Sequence, residues 1–477
     1  MPRMTAGRTG GPLRESSEAV RSRFGWAIGL AVLLACVCFA RAQQSGVNNL
    51  ALTYIDYPQI QGKVQPLNSE AVPKWATLDM QLRGRLEFQS SDDYVSGNRA
   101  VYVLTRVWGG LEVRPTTWIT GYIQFMDLHA LGLPLKYVSP NQRDTFDDRQ
   151  AFVDLHGENM HLIAGRQELR YGGGRLVGIS DWTNTSRTWD GFLGRIGDKN
   201  RLDVFTSSVV VVHPTSLDTH GGGLTFHGAV GTIGTWVPHT VVQPFVYVKA
   251  LQRVQGRQGQ FDTETAVTPG AEVSSTFPGG IYYDALGAFQ RGSYGGDSLR
   301  SAAGYVKAGY TQSAYWKPRL AGEYDYASGN PQGDTNRVGT FDQQYPSNHN
   351  AFGLTDLFGF QNIKQERINL DLTPSKHVTA LIQQEWLQTA SRFDNIYNGA
   401  AAIVVKAPAG GLLSGDIGRE FDASGKWVIR DYLVINVGVG HLSPGGALRE
   451  NAHGPPLTLA YFGLTYRFKV NRDNGAP

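Results

Sequence analysis

From Ala76 to Gln89 the chain alternates without a break. Ala76, Leu78, Met80, Leu82, Gly84, Leu86 and Phe88 fall on one side, and Thr77, Asp79, Gln81, Arg83, Arg85, Glu87 and Gln89 on the other. A period of two is the signature of a β-strand, whose successive side chains point to opposite faces. Strands of soluble domains are usually about 5–6 residues long, whereas a tilted strand that crosses a bilayer needs roughly 9–11. Fourteen alternating positions therefore predict a membrane strand, greasy toward lipid and charged toward the water inside a closed barrel.

The same texture recurs to the end of the chain. Val101–Arg114 sets Val101, Val103, Val107, Leu111 and Val113 against Tyr102, Arg106, Glu112 and Arg114, and Lys317–Ser328 sets Leu320, Gly322, Tyr324 and Tyr326 against Arg319, Glu323 and Asp325. Further strands are predicted near Trp118–Phe125, Gln150–His156, His161–Tyr171, Asp190–Ile196, Arg201–Val212, Gly221–Val230, Val241–Leu251, Gly280–Gln290, Ala302–Thr311, Ile363–Leu372, Val378–Leu387, Asp431–His441 and Leu457–Phe468. Gly197-Asp198-Lys199-Asn200 reads as a tight hairpin turn, and the polar stretches Gln255–Pro278 and Gly329–Phe352 read as longer loops on one rim. The fold class is all-β, a single transmembrane antiparallel barrel of about 16–18 strands.

The first 42 residues interrupt this pattern. Arg21 and Arg23 precede the uncharged apolar run Trp26–Ala40, and Ala40-Arg41-Ala42 fits a cleavage site. The run is shorter than the roughly 20 residues of a spanning helix, so residues 1–42 read as a signal peptide. A retained anchor helix, or a lipoprotein leader ending at Cys36, are the alternatives. Residues 43–75 are expected to form an N-terminal periplasmic extension, 76–468 the barrel and 469–477 a tail.

Setting the leader aside changes the chemistry open to the protein. It holds both cysteines, six Arg and two Glu, leaving 38 basic and 39 acidic residues and no thiol in the remainder. No disulfide framework or cysteine metal site is then available, and the basicity that would suggest nucleic acid disappears. His213, His220 and His227 recur at an odd interval and alternate faces on a strand, Gly221-Gly222-Gly223 lacks the Lys-Ser/Thr of a phosphate loop, and no nucleophile elbow occurs. Neither an enzyme, a cofactor nor a metal is expected; a rim-based hydrolase or an adhesin is the alternative from another class.

Gly165-Arg166-Gln167-Glu168-Leu169, Tyr171-Gly172, Arg175-Leu176-Val177-Gly178, Asp181-Trp182, Asn184, Arg187 and Trp189-Asp190-Gly191 together resemble the signature of the bacterial alginate-export family. Ile417-Gly418-x-Glu420-x-Asp422 and Gly440-His441-x-x-Pro444-Gly445 are similar to segments late in that family's barrel. The resemblance implies an 18-stranded barrel whose charged lumen passes an anionic polysaccharide. Gly463-x-x-Tyr466-x-Phe468 also resembles the terminal signal read by the barrel-insertion machinery, although nine residues follow it.

Charge on a lipid face costs roughly 2–4 kcal/mol per Arg or Lys near mid-membrane, so the charged faces are expected to point inward. That makes Arg83, Arg85, Glu87, Arg106, Arg166, Glu168, Arg170, Arg319, Glu323 and Asp325 candidates to line the pore, with Arg175 and Arg187 at a constriction and Asp181 as counter-charge. A guanidinium offers a bidentate fork to a sugar carboxylate, while nearby acids keep it from binding too tightly. An internal ion-pair ladder that only braces the wall is the other reading of each. For Gly172-Gly173-Gly174 and Asp181–Asn184 the simplest expectation is turn formation, with positive φ at glycine and an Asp/Asn cap. The expected partners are an anionic polysaccharide or small acidic solute and outer-membrane lipid.

Overall fold

The computed structural model describes residues 65–471 apart from 92–93, 334–335, 350 and 431. The proposed signal peptide lies outside them. Eighteen long strands follow one another as an antiparallel meander: β1 Ala76–Ser90, β2 Arg99–Val113, β3 Ile119–Leu131, β4 Asp144–His156, β5 Met160–Gln167, β6 Trp189–Gly197, β7 Asn200–Val211, β8 Leu224–Ile233, β9 Thr240–Gln255, β10 Phe261–Thr276, β11 Ile281–Tyr294, β12 Asp297–Thr311, β13 Arg319–Ala327, β14 Ile363–Ser375, β15 Val378–Thr389, β16 Asp416–Arg430, β17 Leu433–Pro444 and β18 Leu457–Asn471. The sheet closes on itself where β1 pairs with β18, from Leu78 opposite Val470 to Gln89 opposite Leu459. A short parallel strand, Gln65–Asn68, lies along the far end of β18. Closure leaves no unpaired edge, which is what lets strands span a bilayer.

Two of these strands escape the alternation reading. The stretch Gln255–Pro278, expected to be a loop, contains β10, because its inward positions Glu264, Ala266 and Thr268 are buried while its outward positions are mainly threonine, valine and proline. β16 is concealed in the same way, with only Ala423 and Gly425 between Phe421 and Trp427 on its outer face. These two strands raise the sixteen candidates to eighteen.

Elsewhere the sidedness is as the pattern requires. Along β13, Ala321, Glu323, Asp325 and Ala327 are buried, whereas Leu320, Tyr324 and Tyr326 are exposed. Exposed apolar residues ring the barrel from Leu78 and Leu82 through Val107, Val153, Phe192, Val204, Val306 and Ile382. Trp75, Trp118, Trp236, Tyr315 and Trp427 stand exposed near the end of the wall where the turns are short. Such a band flanked by amphipathic aromatics is the surface a bilayer covers. The Gly197–Asn200 hairpin forms as expected, with Gly197 at φ 95°.

At the other rim most connections are longer, and two of them fold into the barrel. Residues 168–188 and 328–362 supply Leu169, Tyr171, Leu176, Val177, Ile179, Phe341, Tyr345, Phe352, Phe358 and Phe360 to one buried cluster inside the wall. The two segments run side by side: Gly178 N donates to Tyr345 O at 2.9 Å, Tyr345 N to Leu176 O at 2.9 Å and Ser347 N to Gly174 O at 2.9 Å.

Candidate functional site

The lumen is built by the inward face of the wall acting on these two segments. Arg83 and Arg85 on β1 and Arg106 on β2 converge on residues 181–184. Arg83 donates to Asp181 O at 2.8 Å, Thr183 O at 3.1 Å and Asn184 Oδ1 at 3.1 Å. Arg85 donates to Trp182 O at 2.6 Å and holds Glu87 through Nε. Arg106 reaches Asn184 O at 2.9 Å and Asp181 O at 3.0 Å, and pairs with the Asp181 carboxylate at 2.7 Å. Three guanidiniums are thus satisfied largely by neutral main-chain carbonyls. Asp181 and Asn184, expected to cap their own turn, tie the segment to the wall instead, since Asn184 Nδ2 donates to Thr105 O at 2.9 Å and Gln142 O at 3.0 Å.

Arg149 completes this basic side. Its guanidinium and that of Arg106 lie over the Trp108 ring, 3.9 and 4.1 Å from its centroid. Arg149 also binds Gln124 Oε1 at 2.7 Å and the Glu168 carboxylate. It lies just outside the alternation that begins at Gln150, because a register shift between β3 and β4 at Gln124/Phe125 breaks the period there. Glu168 and Arg170 lie beyond the end of β5, in the inward segment, so they do not continue the alternation of Arg166.

Across the lumen the wall is acidic. Arg175, carried by the first segment, inserts between Glu323 and Asp325 of β13, 3.2 Å from Asp325 Oδ1. Arg367 of β14 joins Glu323 and approaches Glu385 at 3.5 Å, and Lys307 lies 3.4 Å from Glu323. Among the described residues Arg187 bears on no acid: it donates to Gly178 O at 2.7 Å, Tyr345 O at 2.7 Å and Pro346 O at 3.1 Å, locking the two segments together. Arg319 lies over the Tyr282 ring at 3.6 Å.

Glutamates on this side also anchor the segments. Gly173 N donates to Glu272 Oε1 at 2.7 Å, and Gly172, at φ 55°, has no room for a Cβ beside that carboxylate. Thr355 N donates to Glu420 Oε1 at 2.8 Å and Leu354 N to Asp422 Oδ2 at 3.1 Å, with Gly353 at φ 84° packed against Glu420. The Glu420-x-Asp422 pattern therefore has a physical role as an anion pair that receives backbone N–H groups.

Arg166 is the exception to the inward expectation. It pairs in register with Asp190, the neighbour of Trp189, which is 0% exposed and inside; Phe192, on the Asp190 face, is 59% exposed. Arg166 thus sits on the outer face near the long-loop rim, covered by residues 212–218. Ion pairs to Asp190 at 2.8 Å and Asp148 at 3.3 Å remove the cost of that position. In the covering loop, burial pushes the Asp218 carboxyl up to about 6, although the His213 backbone N–H bonded to it works in the opposite direction.

A closed eighteen-stranded barrel with an aromatic-flanked apolar exterior and a charged interior is an outer-membrane channel. The solved structures it resembles are porins of Pseudomonas aeruginosa: OccD3 (OpdP), with a TM-score of 0.56 and 12% identity over 86% of this chain and 95% of that one; OprD, 0.54 and 11% over 83% and 94%; and OpdK with vanillate, 0.54 and 12% over 83% and 100%. No curated protein matches the chain in sequence. The alginate export family matches residues 74–454, and the chain belongs to it. Its members are channels rather than enzymes.

Proposed function

We propose that this channel passes acidic saccharides, an alginate-like polyuronate or shorter uronate oligomers, by diffusion down their own gradient. The observation that carries the reading is the convergence of Arg83, Arg85 and Arg106 on the main-chain carbonyls of residues 181–184. A carboxylate meets a guanidinium through two parallel N–H···O bonds between opposite charges, which a single main-chain carbonyl does not offer. An entering carboxylate competes successfully for these arginines, and the segment yields. Glu87, Asp181 and Glu168 stand beside the guanidiniums and shorten the dwell of each sugar, as conduction requires.

A second reading is uptake of small organic anions. It is favoured by the two segments that fill the lumen and by the vanillate in one similar structure. Single-channel recording in planar bilayers separates the two. Polyuronate added to one side blocks the current in discrete events if polymer enters, whereas monomeric aromatic acids alone change the current if the pore serves small anions. A barrel that carries no current with either solute overturns both.

A further inference from the structure

We infer that Asp144, Asp147 and Asp218 form a calcium site at the long-loop rim that fastens the 212–218 loop to the start of β4. Each of the three offers a carboxylate oxygen, all within 4.8 Å of one another. Calcium binds oxygen at about 2.3–2.6 Å, so ligands on opposite sides of one ion stand up to roughly 4.6–5.2 Å apart. The cluster fits a single ion without rearrangement.

The second observation concerns Asp144 alone. It is 0% exposed, yet among the described residues neither of its carboxylate oxygens accepts a hydrogen bond. A buried carboxylate left this way costs several kcal/mol unless a cation meets it. Its companions receive backbone donors: Asp147 receives Asp148 N at 2.6 Å and Asp218 N at 2.5 Å, and Asp218 receives His213 N at 2.7 Å. Arg166 does not supply the missing charge. Its guanidinium is engaged by Asp148 and Asp190 and reaches Asp218 only at the main-chain oxygen, 3.4 Å away.

The chemistry of the donors selects the ion. Three carboxylates without histidine or cysteine suit a hard cation. Magnesium keeps several waters in a strict octahedron, whereas calcium accepts irregular oxygen cages, so a site with one wholly enclosed carboxylate suits calcium. The loop it would hold is long and exposed at its tip, where Leu217 is 71% exposed. Thr145 Oγ1 to Pro214 O at 3.3 Å is a further link between the same two segments.

The test uses the folded full chain in detergent micelles, stripped with EDTA. Calcium titrated by calorimetry should bind at this site, and chymotryptic cleavage after Leu217 should slow as it does so. At a calcium concentration a hundred times the dissociation constant, the open loop falls about a hundredfold. Asp144→Asn and Asp218→Asn should each weaken calcium binding by at least about tenfold and abolish the protection. Asp218 lies in a loop, so its variant keeps the test sound if Asp144→Asn fails to assemble. Cleavage unaffected by millimolar calcium, or equally protected in both variants, overturns the site and leaves the cluster sharing protons instead. Equal protection by magnesium at the same concentration overturns the assignment to calcium.

Discussion

Trp182 and His349 stack face to face, ring centroids 3.6 Å apart and planes 3° from parallel. The Arg85 guanidinium also lies 3.6 Å from the Trp182 centroid, so the indole is sandwiched between wall and second segment. One ring therefore joins β1, residues 168–188 and residues 328–362. Such contacts are worth about 0.5–2 kcal/mol each. Trp182→Ala should lose about 1–2 kcal/mol of this docking and raise the ratio of open to closed channel roughly 5–30-fold, read as open probability in single-channel records. An unchanged open probability means the segments do not gate the pore.

Charge reversal distinguishes the two faces of the wall. Arg85→Glu places a carboxylate in the lumen and should shift the reversal potential under a salt gradient toward cation selectivity. Arg166→Glu, on the outer face at the rim, should leave that potential where it was. Equal shifts in both would put Arg166 in the permeation path and contradict the register of β5 with β6.

The Glu323 carboxylate holds Arg175, Arg367 and Lys307 at once. Removing one partner of a buried ion pair costs roughly 3–5 kcal/mol, because the others keep their charge without compensation. Glu323→Ala should therefore lower the midpoint of guanidinium unfolding by that equivalent. It should also open the stretch around Arg175 to protease, since Arg175 loses one of its two acids on β13. A variant that unfolds like the parent would show that solvent already screens the cluster.

Leu82 is exposed and Arg83 faces inward, one residue apart on β1. Leu82→Arg should cost roughly 2–4 kcal/mol in a bilayer if it lies near mid-membrane, measured by reversible urea unfolding in lipid vesicles. The same protein in detergent, where the micelle deforms around the charge, should show a smaller penalty.

Much of this architecture was visible in the chain because lipid on one side and water on the other impose the strictest form of period two. β1 and β13 were legible for that reason. β10 and β16 were not, since threonine, glycine and alanine on the outer face blur the contrast on which the pattern rests. Among the site residues, chemistry was legible but partnership was not. Arg106 and Asp181 are 75 positions apart, and Arg175 and Glu323 are 148 apart. Only the closed wall and the folded-in segments bring them together. Arg166 takes the outer face against the inward expectation because it sits at a rim position, where ion pairs and a covering loop offset the cost of charge against lipid.

The seam between Ala76–Ser90 and Leu457–Asn471 joins the two ends of the sheet. Arg83 and Arg85 stand on one lip of that seam, so their shelter from hydrocarbon is finished only when the final strand arrives. Until the cylinder is shut, an incomplete sheet keeps two ragged margins and a row of guanidiniums that no acyl chain will tolerate. A truncation that stops short of Leu457 should leave a species that fails to enter the bilayer, however well its first seventeen strands are able to pair.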